Sequence, residues 1–351
     1  MIMRILVDLT HPAHVHFFRQ AIWQWKDRGH QVFITSRKKD INIELLNSYG
    51  IEHICISEYG KGLPGLFKEL VARDYRLYKL ARKFSSDILL AVGGVSIAHV
   101  GRLMGRPSII FYDSEFAKLS NRISFPFTDV ICTPSCYKDD LGNKHVRYHG
   151  YHELAYLHPN WFEPNPNILT EIGLTENDSF FVLRFVSWGA AHDIRQRGFS
   201  RGGIENLITE LHKYGRVIIT SEAELPQELR KYYFPLSPDK MHDLLYYATM
   251  YIGEGVTMAS EAAVLGTPSI FVSSLTAGTI EELRNKYSLM YCLSDEGETI
   301  SKVAELIKKD NLKNEWRKRR ERMLRDKIDV TKWMIDFVEN YPESFIDYKN
   351  K

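Results

Sequence analysis

The sequence predicts an α/β protein of two parallel-sheet domains facing each other across a cleft. Three observations predict it. Short apolar runs alternate with amphipathic stretches of about 10–20 residues, the rhythm of βαβ crossovers. That rhythm breaks over 157–178, where Pro159, Pro164 and Pro166 sit among Asn and Glu, and then restarts. At 351 residues the chain is long enough for about two domains, each with its own core.

In the first half, strands are expected at 4–8, 31–35, 52–56, 87–92, 107–111 and 129–133, and helical patterns at 14–27, 41–49, 65–84 and 96–104. After the break, strands are expected near 179–185, 216–220, 249–253, 269–272 and 289–293, with helices near 202–213, 239–248, 257–265, 279–286 and 299–309. The expected division is an N-terminal domain over 1–157, a linker over 158–178, a second domain over 179–327, and a C-terminal helix over 328–351 that packs back on the first domain. Two such halves place the default active site at the carboxyl ends of their strands. The stretch 313–327 carries eight Lys/Arg and three Asp/Glu and reads as a solvated helix face.

Composition narrows the function classes. Hydrophobic residues make up 44% and charged residues 26%, with 22 Gly and 13 Pro, which excludes a disordered, collagen-like or low-complexity chain. The formal charge of +2 gives no global pull towards nucleic acid, and no nucleic-acid partner is expected. Basic residues outnumber acidic ones 21 to 15 over 1–160, while acidic residues lead 29 to 25 over 161–351, so the first half suits an anionic partner better. No apolar run reaches the roughly 18–20 residues of a membrane span, and the N-terminus enters Ile5-Leu6-Val7 without the features of a signal peptide. A cytoplasmic protein is expected. Cys55, Cys132, Cys136 and Cys292 are too few for a disulfide framework and lack zinc-site spacing, so all four read as buried thiols.

Two segments carry the pattern of a ligand site. The first is Asp8-Leu9-Thr10-His11-Pro12-Ala13-His14-Val15-His16, which joins the first strand to the first helix. His14, at the helix start, is the candidate general base because imidazole holds a proton near neutral pH. His16 reads as a packed histidine. His11 and His14 lack a carboxylate or Cys at ligand spacing, so no metal is expected.

The second segment runs from Gly253 to Ile270. A strand ends in a glycine turn, a helix opens at Gly255-Val256-Thr257-Met258 with Ser260 and Glu261 following, and Gly266 closes it before a Pro-led strand. Free amides and the helix dipole make such a start an anion site. Glu261 lies about one turn in, where a carboxylate can accept hydrogen bonds from ribose hydroxyls. Arg184 interrupts the apolar strand Phe180–Val186 and needs a buried or ligand partner; with Arg195 it is suited to clamping a diphosphate. Residues 61–84 form a basic amphipathic stretch, seven Lys/Arg against two Asp/Glu, that suits either its own sheet or an anionic membrane.

The 253–270 string resembles the donor-binding motif of glycosyltransferases with the GT-B fold, especially the peptidoglycan N-acetylglucosaminyltransferase that makes lipid II. In that family a Gly–small–Thr stretch opens the helix, a Glu binds the ribose and Gly-x-Pro leads the next strand. Thr10 to His14 resembles the family's Gly-rich first loop ending in His, with His11, Pro12 and Ala13 replacing glycines; Ser187-Trp188-Gly189-Ala190 resembles its Ser-x-Gly-Ala loop; Tyr112-Asp113-Ser114-Glu115 with Asn121 resembles its acceptor-side acidic segment. The whole chain also resembles an uncharacterised prokaryotic domain-of-unknown-function family grouped with GT-B proteins, through His11-Pro12-Ala13-His14, Tyr151-His152-Glu153 and Ala191-His192-Asp193. Non-hydrolysing UDP-N-acetylglucosamine 2-epimerases are similar as well. They share the ribose Glu and a His-containing segment echoed at 191–195, but their paired Glu before Asn-Arg is absent here, where Lys118, Leu119 and Ser120 precede Asn121-Arg122.

The resemblance implies two Rossmann-like domains and a metal-independent glycosyltransferase that moves a sugar from a UDP-sugar co-substrate to the hydroxyl of a saccharide or lipid-linked acceptor. Cell-surface polysaccharide or glycolipid biosynthesis is the expected setting, with no cofactor and peripheral contact at the inner face of the membrane through 61–84. His14 is the expected base, with Asp113 and Glu115 next and His192 the choice for an epimerase. Donor contacts are expected from Arg184, Ser187, Gly189, Gly255, Val256, Thr257, Met258, Ser260, Glu261, Glu281 and Glu282. A UDP-N-acetyl-sugar 2-epimerase-like isomerase or a non-enzymatic nucleotide-sugar binder are the alternatives.

Overall fold

The apolar runs of the first half become seven parallel strands: β1 (Arg4–Leu9), β2 (Gln31–Lys38), β3 (Ile54–Glu58), β4 (Ile88–Val92), β5 (Ser108–Phe111), β6 (Val130–Pro134) and β7 (His145–Tyr148), in the order β3-β2-β1-β4-β5-β6-β7. Helices α1 (Pro12–Asp27), α2 (Asn42–Ser48), α3 (Gly62–Phe84), α4 (Val95–Met104) and α5 (Lys118–Ser124) form the crossovers, and the single turn α6 (Leu154–Leu157) follows the last strand. The computed structural model describes residues 2–60, 62–115, 118–185, 199–221 and 225–350. It divides into two units, Met1–Trp161 with Lys327–Lys351, and Phe162–Asp326.

Near-continuous apolar strands are what a parallel sheet covered on both faces requires. Ile5, Leu6, Val7 and Leu9 of β1 are all fully buried, and α1 covers the sheet with Phe17, Phe18, Ala21, Ile22 and Trp25 at helical spacing. On β1 itself Asp8 is also buried, and the Arg73 guanidinium from α3 meets its carboxylate while Thr35 Oγ1 donates to Asp8 Oδ1 at 2.6 Å. Arg73 also donates to Ser57 Oγ at 2.6 Å, Ser57 donates to Glu69 at 2.9 Å, and Arg37 grips Glu69 through two bonds of 2.6 and 2.5 Å. This polar chain fixes α3 across the ends of β1, β2 and β3.

In this unit sequence patterning misses β7, α5 and the single turn α6. β7 is a four-residue edge strand carrying Arg147, whose guanidinium donates to the carbonyls of Ser135 at 3.2 Å and Asp139 at 2.7 Å, so neither its length nor its polarity marks it. α5 is only seven residues long. The cysteines also differ from expectation: Cys132 is buried, but Cys55 is exposed and Cys136 and Cys292 are intermediate. Cys55 lies on β3 at the edge of its sheet, and Cys292 on an edge strand of the second unit, where one side lacks a neighbour.

The second unit opens with α7 (Asn167–Glu171) and continues β8 (Phe180–Arg184), α8 (Arg201–Leu211), β9 (Arg216–Thr220), α9 (Met241–Tyr247), β10 (Met250–Gly253), α10 (Val256–Leu265), β11 (Ser269–Val272), α11 (Gly278–Glu281), β12 (Met290–Leu293), α12 (Glu296–Ile307) and α13 (Leu312–Asp326). Its five strands are parallel in the order β12-β11-β10-β8-β9. The basic run of α13 is not a purely solvated face. Arg317 donates to the carbonyls of Tyr246 at 2.9 Å and Leu265 at 3.4 Å, and Arg320 donates to Val264 at 3.0 Å, so both capture carbonyls at the C-terminal end of α10.

The chain then returns to the first unit with α14 (Val330–Glu339) and α15 (Glu343–Lys349). Asp329 caps α14 through the Lys332 amide and accepts the Trp161 indole N–H at 2.7 Å, while Glu339 holds Arg28 at 2.9 Å.

Candidate functional site

The first unit gathers imidazoles and a carboxylate at the carboxyl ends of its strands. His11 caps α1, its Nδ1 accepting from the Ala13 amide at 3.2 Å, and Pro12 takes the first helical position, where no N–H is needed. His14 follows in the first turn, half-buried, with Nδ1 3.2 Å from Thr10 Oγ1. Burial pushes its pKa well below 6.5, and positive charge at His11, His152, Lys39 and Arg73 pushes it the same way. His14 is therefore neutral at pH 7, with a lone pair to accept a proton.

His152 stands beside it. It is 8% exposed, its ring lies 4.4 Å from Phe17, and its Nδ1 is 3.2 Å from Asp113 Oδ2. Burial lowers its pKa while Asp113 opposes the shift. Its Nε2 has no hydrogen-bond partner among the described residues. Asp113, on the loop after β5, also accepts from Ser114 at 2.9 Å, whereas Glu115 accepts from the Lys138 amide at 3.3 Å. The structure thus pairs Asp113 with His152, and Glu115 with the Lys138 amide. His16 is a packed side chain, stacked on Tyr156 at 5.3 Å and 3.3 Å from the Tyr49 hydroxyl. Sequence marks His152 only within a family segment; its pairing with Asp113 joins residues 39 apart, which spacing does not reveal.

Gly93-Gly94, between β4 and α4, belongs to neither segment that the sequence marks as a ligand site. Gly94 adopts φ +35°, and a Cβ there would stand 2.7 Å from Ile97 and 2.9 Å from Ala91 and Ile110, so only glycine fits. Paired glycines at a strand end are the signal that could have found it.

In the second unit the glycine turn leads into a helix start without a side-chain cap among the described residues. α10 begins at Gly255 with no side-chain cap and no acid in its first turn, so the amides of Val256, Thr257 and Met258 have no partner inside the helix. Its far end is closed by Gly266 at φ +75° and by Arg317 and Arg320, so the negative pole is compensated while the positive pole carries no acid in its first turn. Arg184 ends β8 beside it, its carbonyl accepting the Glu254 amide at 3.0 Å. Ser260 and Glu261 are buried on α10, and Glu261 Oε1 is 3.1 Å from Nε2 of His242, itself buried on α9. His242 lies 19 residues from its partner and carries no motif.

Glu281 and Glu282 sit farther along, at α11, partly buried, with Glu282 3.6 Å from Lys286. Ser187, Gly189 and His192, with Arg195, lie outside the described residues. Among the described residues no three or more His, Cys, Asp or Glu side chains gather as a metal site.

Known proteins share both the sequence pattern and the fold. A family model described as "Protein of unknown function (DUF354)" matches residues 3–343. The uncharacterized protein MJ0665 of Methanocaldococcus jannaschii is 24% identical over 283 residues, 76% of this chain and 80% of that one. The UDP-N-acetylglucosamine–N-acetylmuramyl-(pentapeptide) pyrophosphoryl-undecaprenol N-acetylglucosamine transferase of Desulfotalea psychrophila is 28% identical over 127 residues, 32% of this chain and 34% of that one. Among solved structures, the UDP-GlcNAc 2-epimerase of Neisseria meningitidis superposes with a TM-score of 0.68 at 12% identity, covering 96% of this chain and 99% of the other. The Streptomyces sp. SF2575 glycosyltransferase SsfS6 gives 0.61 at 12%, covering 96% and 100%. The chain has the GT-B fold shared by these glycosyltransferases and epimerases.

Proposed function

We propose that this chain, which belongs to the DUF354 family, is a glycosyltransferase that takes a sugar from a UDP-sugar and transfers it to an acceptor hydroxyl. The observation that carries the reading is the uncapped, acid-free start of α10, whose opposite end is neutralised by Arg317 and Arg320. The amides of Val256, Thr257 and Met258 hold the diphosphate, Arg184 adds a cation, and Glu261, oriented by His242, accepts from the ribose. In the first unit, neutral His14 takes the acceptor hydroxyl's proton. The acceptor oxygen bonds to the anomeric carbon as the bond from that carbon to UDP breaks, and charge developing on UDP is stabilised by the helix start and Arg184. The absence of the epimerase carboxylate pair before Asn121-Arg122 favours transfer over epimerisation.

A thermal-shift panel of nucleoside diphosphates and nucleotide-sugars tests this reading. UDP and UDP-sugars should raise the melting temperature most, and Glu261→Ala should weaken their binding by about 1–3 kcal/mol. Glu261→Gln, which keeps the volume beside His242, separates lost binding from lost packing. Equal stabilisation by every nucleotide would remove the uridine assignment. Exchange of the C2 hydrogen of a UDP-N-acetyl sugar in deuterated water without acceptor would replace transfer by epimerisation.

The acceptor side is proposed to rest on an anionic membrane. No helix among the described residues is long and apolar enough to cross one. On α3, however, Leu63, Phe67, Val71 and Tyr75, one turn apart, are 74%, 70%, 55% and 58% exposed. The exposed charges of the same helix, Lys68, Arg76, Lys79, Arg82 and Lys83, are all basic, because Glu69 is held by Arg37 and Asp74 by His99 at 2.7 Å. Phe67→Asp with Val71→Asp should cut partitioning onto phosphatidylglycerol vesicles by about tenfold or more. Equal partitioning of the wild type onto neutral phosphatidylcholine would remove the electrostatic part of the claim.

A further inference from the structure

Tyr251 lies on β10, two residues before the glycine turn, and its ring is fully buried. Its hydroxyl has no hydrogen-bond partner among the described residues. A Cβ on Gly253 would stand 2.4 Å from that oxygen, so the glycine is what lets the phenol reach beneath the turn. Among the described residues, a Cβ on Gly255 would meet only the same hydroxyl within 4 Å, at 3.9 Å. The hydroxyl therefore lies buried directly beneath the glycine turn that opens α10. Burial raises its pKa well above 10, which keeps it protonated and able to donate, and Arg184, Glu261 and Glu254 all act on it electrostatically. A phenol oxygen buried without a partner carries a desolvation penalty that phenylalanine would avoid, and such a group calls for a water or a ligand.

We propose that the Tyr251 hydroxyl donates a hydrogen bond to a phosphate oxygen of the nucleoside diphosphate seated at the start of α10. The inference rests on the donor reading above and adds to it a side chain that neither the motif nor the family segments mark. The Gly253–Gly255 turn then does more than free amides, since its missing side chains also open the path from phenol to ligand.

The experiment measures the Kd for UDP and the melting temperature of the free protein, for the wild type and Tyr251→Phe. The substitution keeps the ring in its core and removes one oxygen. UDP affinity should fall about tenfold or more, the range for a hydrogen bond to a charged group, while the free variant melts at the same temperature or higher. Unchanged UDP affinity in Tyr251→Phe would overturn the inference and leave the donor site standing. A lower melting temperature with unchanged affinity would also overturn it, by showing that the hydroxyl serves the fold through a bound water. A wild-type protein that does not bind UDP would remove the donor reading and this inference together.

Discussion

His14→Ala should lose about 10²–10⁴-fold in turnover while binding UDP normally, because a general base contributes that much to a proton-transfer step and the proposed donor contacts belong to the other unit. Turnover is read as UDP release from a UDP-sugar, with melting temperature as the control for folding. The pH profile gives an independent check. The base must be unprotonated, and burial together with His11, His152, Lys39 and Arg73 holds His14 well below 6.5. Activity should therefore persist at pH 6.5 and fall only at more acidic pH. His16→Ala should act through stability instead, since its ring packs on Tyr156. Near-normal turnover in folded His14→Ala would exclude it as base and direct attention to Asp113 with His152.

The second large effect is on stability. Arg73→Ala removes the cation from Asp8, a residue 1% exposed on β1, an interior strand of the first sheet. Stripping one partner from a buried ion pair costs about 3–5 kcal/mol, because the remaining charge has neither water nor counter-ion. Among the described side chains, Thr35 alone would then still donate to the Asp8 carboxylate. Removing both charges, as Asp8→Asn with Arg73→Met, should recover part of that loss, since no uncompensated charge remains. Urea unfolding of the three proteins measures it. A loss below about 1 kcal/mol for Arg73→Ala would show that the pair does not hold α3 to the sheet.

Most of the architecture is legible in the sequence because it is written in local period. Apolar runs such as Ile5-Leu6-Val7 and the helical spacing of Phe17, Ala21 and Trp25 depend only on neighbours within one element, and a sequence shows those directly. The proposed anion site is legible for the same reason: a strand end, glycines and a helix start are contiguous over 253–258. β7 and α5 are not, since His145 and Arg147 break the apolar run of the one, and Ser120, Asn121 and Ser124 give the other the composition of a loop.

The sequence by itself determined the strand–helix alternation, the break between two α/β halves, the His14 loop and the glycine turn that opens α10. Only the tertiary structure decided what surrounds them. It pairs Asp8 with Arg73 across 65 residues, Asp113 with His152 across 39, and Glu261 with His242 across 19, and it sends Arg317 and Arg320 to carbonyls of α10 more than 50 residues away. Each of these contacts depends on sheet order and crossover geometry, which bring distant side chains together at one strand end or one helix end. Charge and hydrogen bonding act over a few ångströms in space, so the sequence shows that Arg73, His152, His242 and Tyr251 are present, and only the fold shows what each one faces.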